Sequence, residues 1–120
     1  MVVWGLVFNP FGINTIVDEV YSPDYRYKVV FFEGNSGATS DFITHVSIME
    51  ANSELKNSPG NIFRADANHL KAPRAEWGGP DVTVQWVGER EVLLLYHPKA
   101  RIFEQKKRYK DITISYKYLE

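Results

Sequence analysis

The feature that most constrains this chain is a series of short strand-like segments separated by clusters of Gly, Pro, Asn and Asp. No stretch keeps a helical apolar period beyond about two turns, so the pattern favours strands over helices. Because no long helix separates the segments, the strands are expected to pair mostly antiparallel. The sequence predicts a mainly β fold with about seven or eight short strands and little helix, arranged as an antiparallel β-sandwich or a curled, barrel-like sheet.

Two segments show contrasting strand patterns. Residues 25–33 are apolar on both faces at their centre, which is typical of a central strand. Residues 42–50 alternate instead, which predicts one core face and one polar face. The predicted core face carries Phe42, Val46 and Ile48, and the polar face carries His45 and Ser47.

The clearest predicted hairpin joins residues 81–87 to residues 91–97. Apolar residues alternate along its first strand, and a turn is expected at residues 88–90. Trp86 and Tyr96 fall in phase with the apolar residues, so both are expected to face the core.

A second hairpin is predicted near the end of the chain. Residues 101–105 are expected to pair with residues 111–118, and the basic run of residues 106–110 is interpreted as the turn between them. One face of the second strand should carry Ile112, Ile114, Tyr116 and Tyr118.

The length and composition of the chain are those of one folded domain. At 120 residues the chain fits a single core, and we expect one β domain over residues 1–120. Hydrophobic residues make up 44% of the chain and aromatic residues 14%, which supplies a core and argues against disorder.

Charge and cysteine content exclude several classes of function. The formal net charge is -1, so no global field attracts nucleic acid or anionic lipid, and no nucleic-acid partner is expected. The chain has no cysteine, which removes disulfides, thiolate catalysis and cysteine zinc sites. Neither a metal nor another cofactor is expected.

Residues 1–8 are apolar but too few to cross a membrane. The run ends at Asn9 and Pro10, whereas a membrane helix needs ~20 apolar residues. It also lacks the basic leader and the cleavage site of a complete signal peptide. We therefore expect no membrane span in this chain, and we interpret residues 1–8 as a first strand or a segment that fills the core.

The candidate binding site is the loop of residues 66–80, the longest segment without a strand or helix pattern. Loops of about fifteen residues are uncommon in compact domains unless they are functional or flexible. Its candidate binding residues are Asp66, Asn68, His69, Arg74 and Trp77. The alternative interpretation is that Asp66 and Asn68 cap turns while His69 and Trp77 hold the loop on the sheet.

No catalytic or metal site is predicted. Asp66 and His69 could share a metal, but two ligands of mixed type are a weak signal because structural zinc requires four. The glycines around Ser36 resemble a hydrolase motif, yet no histidine precedes Ser36 and no strand-to-helix turn is predicted there. The same segment lacks the Gly-Lys-Ser/Thr of a phosphate loop.

Several stretches together carry a resemblance to a known family. They are residues 9–12, 22–24, 27–31, 36–39, 60–63, 68–69, 78–80 and 96–101, with Phe103. Over nearly its whole length from Asn9, the chain resembles an uncharacterised bacterial family of short, usually membrane-tethered proteins. The family has no assigned activity.

The resemblance implies an extracytoplasmic position and a lost disulfide. Relatives carry a hydrophobic anchor before the position of Asn9, and residues 1–8 look like the last turns of such an anchor. The family has cysteine where this chain has Phe11 and Ser36, so the resemblance implies that these two positions lie side by side. Without the cysteines, the cytoplasm is also a compartment to consider.

Three hypotheses for function follow. The leading one is a non-catalytic binding domain, a β scaffold that presents residues 66–80 and the loop of residues 34–41 to a protein partner. The alternative is a small soluble inhibitor or immunity-type protein that blocks one enzyme. The third is a hydrolase or metal enzyme built on Asp66 and His69.

Overall fold

The computed structural model describes residues 14–34, 43–55, 58–75 and 79–119, and within these ranges the chain forms nine β-strands and no helix. The predicted mainly β fold class is therefore confirmed. In chain order the strands are β1 (Asn14–Tyr21), β2 (Tyr27–Gly34), β3 (Ile43–Glu50), β4 (Phe63–Asp66), β5 (Val82–Gly88), β6 (Glu91–Tyr96), β7 (Arg101–Gln105), β8 (Arg108–Tyr109) and β9 (Ile112–Tyr118).

The strands form two sheets that share one core. The first sheet has the order β1-β2-β3-β4-β7 and the second has the order β5-β6-β9-β8. Neighbouring strands are antiparallel except for β6 and β9, which are parallel. Buried side chains from both sheets meet between them, which gives a sandwich-like arrangement. These include Val29, Phe31, Val46, Ile48 and Phe63 from the first sheet and Val82, Val84, Val92, Leu94, Ile112 and Ile114 from the second.

Strands β2 and β3 are the interior of the first sheet. The apolar centre of β2 is buried on both faces, from Val29 to Phe32, which confirms the prediction of a central strand. The prediction of a polar outer face on β3 is wrong, because His45 and Ser47 are 8% and 4% exposed. Both side chains accept hydrogen bonds from the segment before β4. Gly60 donates its N–H to His45 Nδ1, and Asn61 donates its N–H to Ser47 Oγ, each at 2.9 Å.

The predicted hairpin of β5 and β6 is confirmed. Trp86 pairs with Val92 and Val82 pairs with Tyr96, with a bulge before the turn. Trp86 and Tyr96 are partly buried against the core, as expected. The Trp86 indole N–H also donates to the Val20 carbonyl at 2.8 Å, which ties β5 to β1 at one side of the sandwich.

The predicted hairpin of residues 101–105 and 111–118 is wrong. Strand β7 pairs with β4 in the first sheet, and β9 pairs with β6 and β8 in the second. The basic run crosses between the sheets, since Lys106 donates its N–H to the Ile62 carbonyl before the chain enters β8. The turn into β9 is formed by Lys110, with φ of 53°, and Asp111.

A tyrosine closes this second side of the sandwich. The Tyr116 hydroxyl on β9 donates to the Lys106 carbonyl and lies 3.4 Å from the Ile62 carbonyl oxygen. Burial, with smaller contributions from Tyr96 and Glu104, raises the pKa of Tyr116 above its usual range, so the hydroxyl remains a donor. The predicted shared face of β9 is buried at Ile112 and Ile114, but Tyr118 at its end is 60% exposed.

Some expectations fall outside the described residues. They concern residues 1–8, the proximity of Phe11 and Ser36, the side chain of Trp77 and most of residues 34–41. In the ranges that are described, no helix has the length and apolarity needed to cross a membrane.

Candidate functional site

The two loops predicted to bind a partner leave the first sheet at the same end. Gly34 at the end of β2 pairs with Ile43 at the start of β3, and Ile43 pairs with Asp66 at the end of β4. The loop of residues 34–41 therefore begins beside the loop of residues 66–80. The end of the longer loop lies against β3, because the Thr44 hydroxyl donates to the Pro80 carbonyl at 2.8 Å.

Asp66 anchors the base of the longer loop. Its carboxylate is 4% exposed and is held by the Arg101 guanidinium, whose Nε lies 3.1 Å from Oδ1 and 3.2 Å from Oδ2. Arg101 Nη2 also donates to Oδ2. The same carboxylate accepts the Asn68 N–H at 2.8 Å. A buried carboxylate needs such partners, so Asp66 fixes the loop and does not itself face solvent.

The loop then makes a left-handed turn. Asn68, His69 and Leu70 have φ values of 55°, 56° and 70°. Asparagine adopts this region with little penalty, but for leucine the conformation costs about 1–2 kcal/mol. Consecutive residues of this kind persist only where the surrounding structure determines them.

Hydrogen bonds and two buried alanines hold the turn in place. The Ala72 N–H donates to the Ala67 carbonyl at 3.0 Å, and both alanines are 1% exposed. The Lys71 N–H donates to the Asn68 carbonyl at 3.1 Å. The Asn68 amide reaches across to the Lys99 carbonyl at 3.2 Å, which ties the turn to the segment between β6 and β7.

The tip of the turn faces solvent. His69 is exposed, and Leu70 is 63% exposed although the backbone on both sides of it is hydrogen-bonded. Further along, Arg74 is exposed and forms an isolated backbone bridge with Pro80. This bridge brings the end of the loop at Pro80 back beside Arg74.

The structure places the predicted site residues in two roles. Asp66 and Asn68 hold turns, as the first half of the alternative interpretation expects, while His69 and Arg74 are exposed to solvent. Leu70 was missed by the sequence analysis because a single leucine in a loop carries no signal of its own. Its exposure depends on the left-handed backbone, which the sequence does not reveal.

The described part of the loop shows no metal-binding cluster. Across the described ranges, no group of three or more His, Asp and Glu side chains could hold a metal ion. Both carboxylate oxygens of Asp66 are also engaged by Arg101.

A second feature missed by the sequence analysis is a tyrosine cluster at the end of β6 and β9. Tyr96 and Tyr118 have ring centroids 5.4 Å apart, and Tyr96 and Tyr116 have centroids 6.2 Å apart. Together with Lys117 they line an open surface cavity of about 360 Å³. The sequence pattern places Tyr116 and Tyr118 in phase with Ile112 and Ile114, which indicates a core face and gives no sign of an exposed cluster.

Comparison with known proteins gives no match, since no family model, curated protein or solved structure is similar enough to the chain. The function is therefore inferred from the geometry of the domain itself.

Proposed function

We propose that this domain is a non-catalytic protein-interaction module that presents the turn of residues 68–70 to a protein partner. The observation that carries the proposal is a solvent-facing Leu70 held in a left-handed conformation by a buried anchor. Strained residues of this kind concentrate at binding sites, and binding residues are commonly placed on loops over a rigid scaffold.

The chemistry of the exposed surface favours a protein partner. Leu70 is apolar, and the exposed Lys71 and Arg74 beside it in sequence are cationic. Such a surface fits a partner that offers an apolar pocket with acidic groups at its rim. The formal net charge of -1 gives no general attraction to nucleic acid.

The anchoring of the turn supports tight binding. The Asp66–Arg101 ion pair and the bond from Asn68 to Lys99 fix the backbone before any partner arrives. A preorganised loop loses little conformational entropy on association, so more of its contact energy is available as affinity.

The test is capture of partners from the native host with the full chain and with a variant that combines His69→Ala, Leu70→Ser and Arg74→Glu. We expect the variant to lose the partners that the original chain retains, with an unchanged melting temperature. Val87→Ser is the matched control, because Val87 is 56% exposed on β5, outside the loop.

Two outcomes would decide against or refine the proposal. If the variant retains every partner, the turn is not the binding surface. If the captured partner is one enzyme that the chain inhibits, the domain is an inhibitor of that enzyme acting through the same turn.

A further inference from the structure

The outer edge of β9 is only partly covered. Strand β8 pairs with Ile112 and Thr113, and the Ile114 N–H donates to the Lys107 carbonyl at 2.9 Å. Beyond Ile114, no strand in the described part of the chain pairs with this edge. On the other side, β6 pairs with β9 along its whole length, up to Tyr118.

The alternation of the ladder identifies the backbone groups at this edge. Thr113 and Leu119 donate their N–H groups toward β6, to the carbonyls of Arg90 and Tyr96. Ile114 donates in the opposite direction. Because successive residues of a strand alternate in direction, Tyr116 and Tyr118 direct their N–H and C=O groups to the uncovered edge.

The tyrosine cavity lies beside the same edge. Two of its lining residues, Tyr116 and Tyr118, are those whose backbone groups face the edge. The Tyr116 hydroxyl is held by the Lys106 carbonyl, so this wall of the cavity is fixed. Tyr118 is 60% exposed and contributes an accessible aromatic surface. A strand added to β9 would have a cavity of about 360 Å³ next to its own side chains.

Three exposed lysines lie on the segments that form or adjoin this edge. Lys106 and Lys107 are exposed where the pairing with β9 stops, and Lys117 is exposed on β9 itself. No carboxylate among the described residues forms an ion pair with any of these three lysines. The carboxylate of Glu104, which precedes them, is engaged by Arg64 at 3.3 Å.

We propose that the edge of β9 at Tyr116–Tyr118, the tyrosine cavity and the lysines around them bind an extended acidic peptide segment of another protein. The segment adds to β9 as a short strand, and the edge supplies its backbone hydrogen bonds. One apolar side chain of the segment occupies the cavity, and its carboxylates face Lys106, Lys107 and Lys117. Strand addition to an exposed edge, with pockets for alternate side chains, is an established mode of peptide recognition. This site is separate from the turn of residues 68–70 and does not depend on its function.

The experiment selects peptides from a display library of random short sequences on the full chain. We expect the enriched peptides to be acidic and to contain an apolar residue flanked by carboxylates. One enriched peptide is then synthesised with a fluorescent label, and its affinity is measured by anisotropy. Replacing each of its acidic residues by lysine should weaken binding at least about tenfold, as expected when complementary charges become repulsive.

Two pairs of variants test the backbone and charge contributions. Tyr118→Pro removes both the ring and the edge N–H, whereas Tyr118→Ala removes only the ring, so the proline variant should bind more weakly than the alanine variant. Lys106→Glu with Lys107→Glu should weaken the acidic peptide and strengthen its lysine counterpart. Melting temperatures confirm that each variant is folded.

Three results would overturn the proposal. The first is selection of no peptides, or of peptides that are not acidic. The second is equal affinity of the proline and alanine variants for the selected peptide. The third concerns the double variant Lys106→Glu with Lys107→Glu. If this variant self-associates more strongly with concentration but binds the peptide with unchanged affinity, the lysines only prevent edge-to-edge pairing.

Discussion

His45 shows how a titratable side chain is kept inside this protein. Its ring stacks on Phe32 with centroids 4.9 Å apart, and its Nδ1 accepts the Gly60 N–H. Burial, with a smaller contribution from the nearby Arg64 charge, lowers the pKa of His45 to about 4. The imidazole is therefore neutral at physiological pH and acts as a hydrogen-bond acceptor.

This lowered pKa predicts a loss of stability in mild acid. The unfolded chain binds a proton at His45 near pH ~6.5, whereas the folded chain does so only near pH 4. Stability from this residue is complete above the unfolded pKa and declines as the pH falls toward 4. Allowing for partial solvation, we expect a loss of about 2 kcal/mol, measured by urea unfolding across that range.

His45→Asn identifies the source of the effect, because its Oδ1 can accept the Gly60 N–H without titrating. The variant should be less stable at neutral pH, since it lacks the ring that stacks on Phe32, but its stability should change less in acid. His69→Asn, at an exposed position, is the control. If His45→Asn loses as much stability in acid as the original chain, the pH dependence arises elsewhere.

The contacts of Trp86 predict that two substitutions at this position lower the free energy of unfolding to different extents. The ring is partly buried against the core, and its indole N–H donates to the Val20 carbonyl. Trp86→Ala should lower the free energy of unfolding by about 3 kcal/mol, since it leaves a large void. Trp86→Phe keeps much of the ring volume and should cost about 1 kcal/mol for the lost hydrogen bond. Equal costs in urea unfolding would mean that ring volume does not matter here.

At the scale of elements, the sequence predicts strands better than it predicts their partners. The β5–β6 hairpin was predictable because two strands separated by a tight turn pair locally. The apolar alternation of β9 was also recognised, but its partner was not. A short basic run between two strands is compatible with a hairpin, and only the packed structure shows that β7 joins the first sheet.

The candidate loop shows the same limit. Its position was predictable because residues 66–80 lack any strand or helix period. Its left-handed turn was not, because Leu70 belongs to a residue type that rarely adopts positive φ. The ion pair that anchors it joins Asp66 to Arg101, far apart in sequence, and no local pattern reports such a pair.

Strain in this turn predicts opposite effects of one substitution on stability and binding. Leu70→Gly removes the Cβ that disfavours positive φ and sacrifices little burial, so it should raise the free energy of unfolding by about 0.5–1 kcal/mol. It should also weaken the partner bound by the turn, because the exposed side chain is lost. Leu70→Ala removes most of the side chain but keeps the Cβ, and should not be stabilised. A glycine variant no more stable than the alanine variant would show that the turn is unstrained.

At the scale of the whole molecule, side-chain hydrogen bonds join the sheets, and those of Trp86 and Tyr116 do so at opposite sides. Trp86 links β5 to β1, and Tyr116 links β9 to the crossover that follows β7. Buried residues of both sheets fill the space between these links. Each sheet combines strands that are distant along the chain, so neither sheet is a separate segment of the sequence.

This arrangement predicts one cooperative unit in which the two links act independently. Trp86→Phe and Tyr116→Phe each remove one cross-sheet donor and should each cost about 1 kcal/mol. Strand β6 separates β5 from β9, so the two positions are about 10 Å apart or more, and their costs should add within about 0.5 kcal/mol in the double variant. Urea unfolding followed by fluorescence and by circular dichroism should give coincident transitions for all variants. Separate transitions in the double variant would mean that the sheets unfold one at a time once these two links are removed, and that the shared core and the remaining contacts do not hold them together.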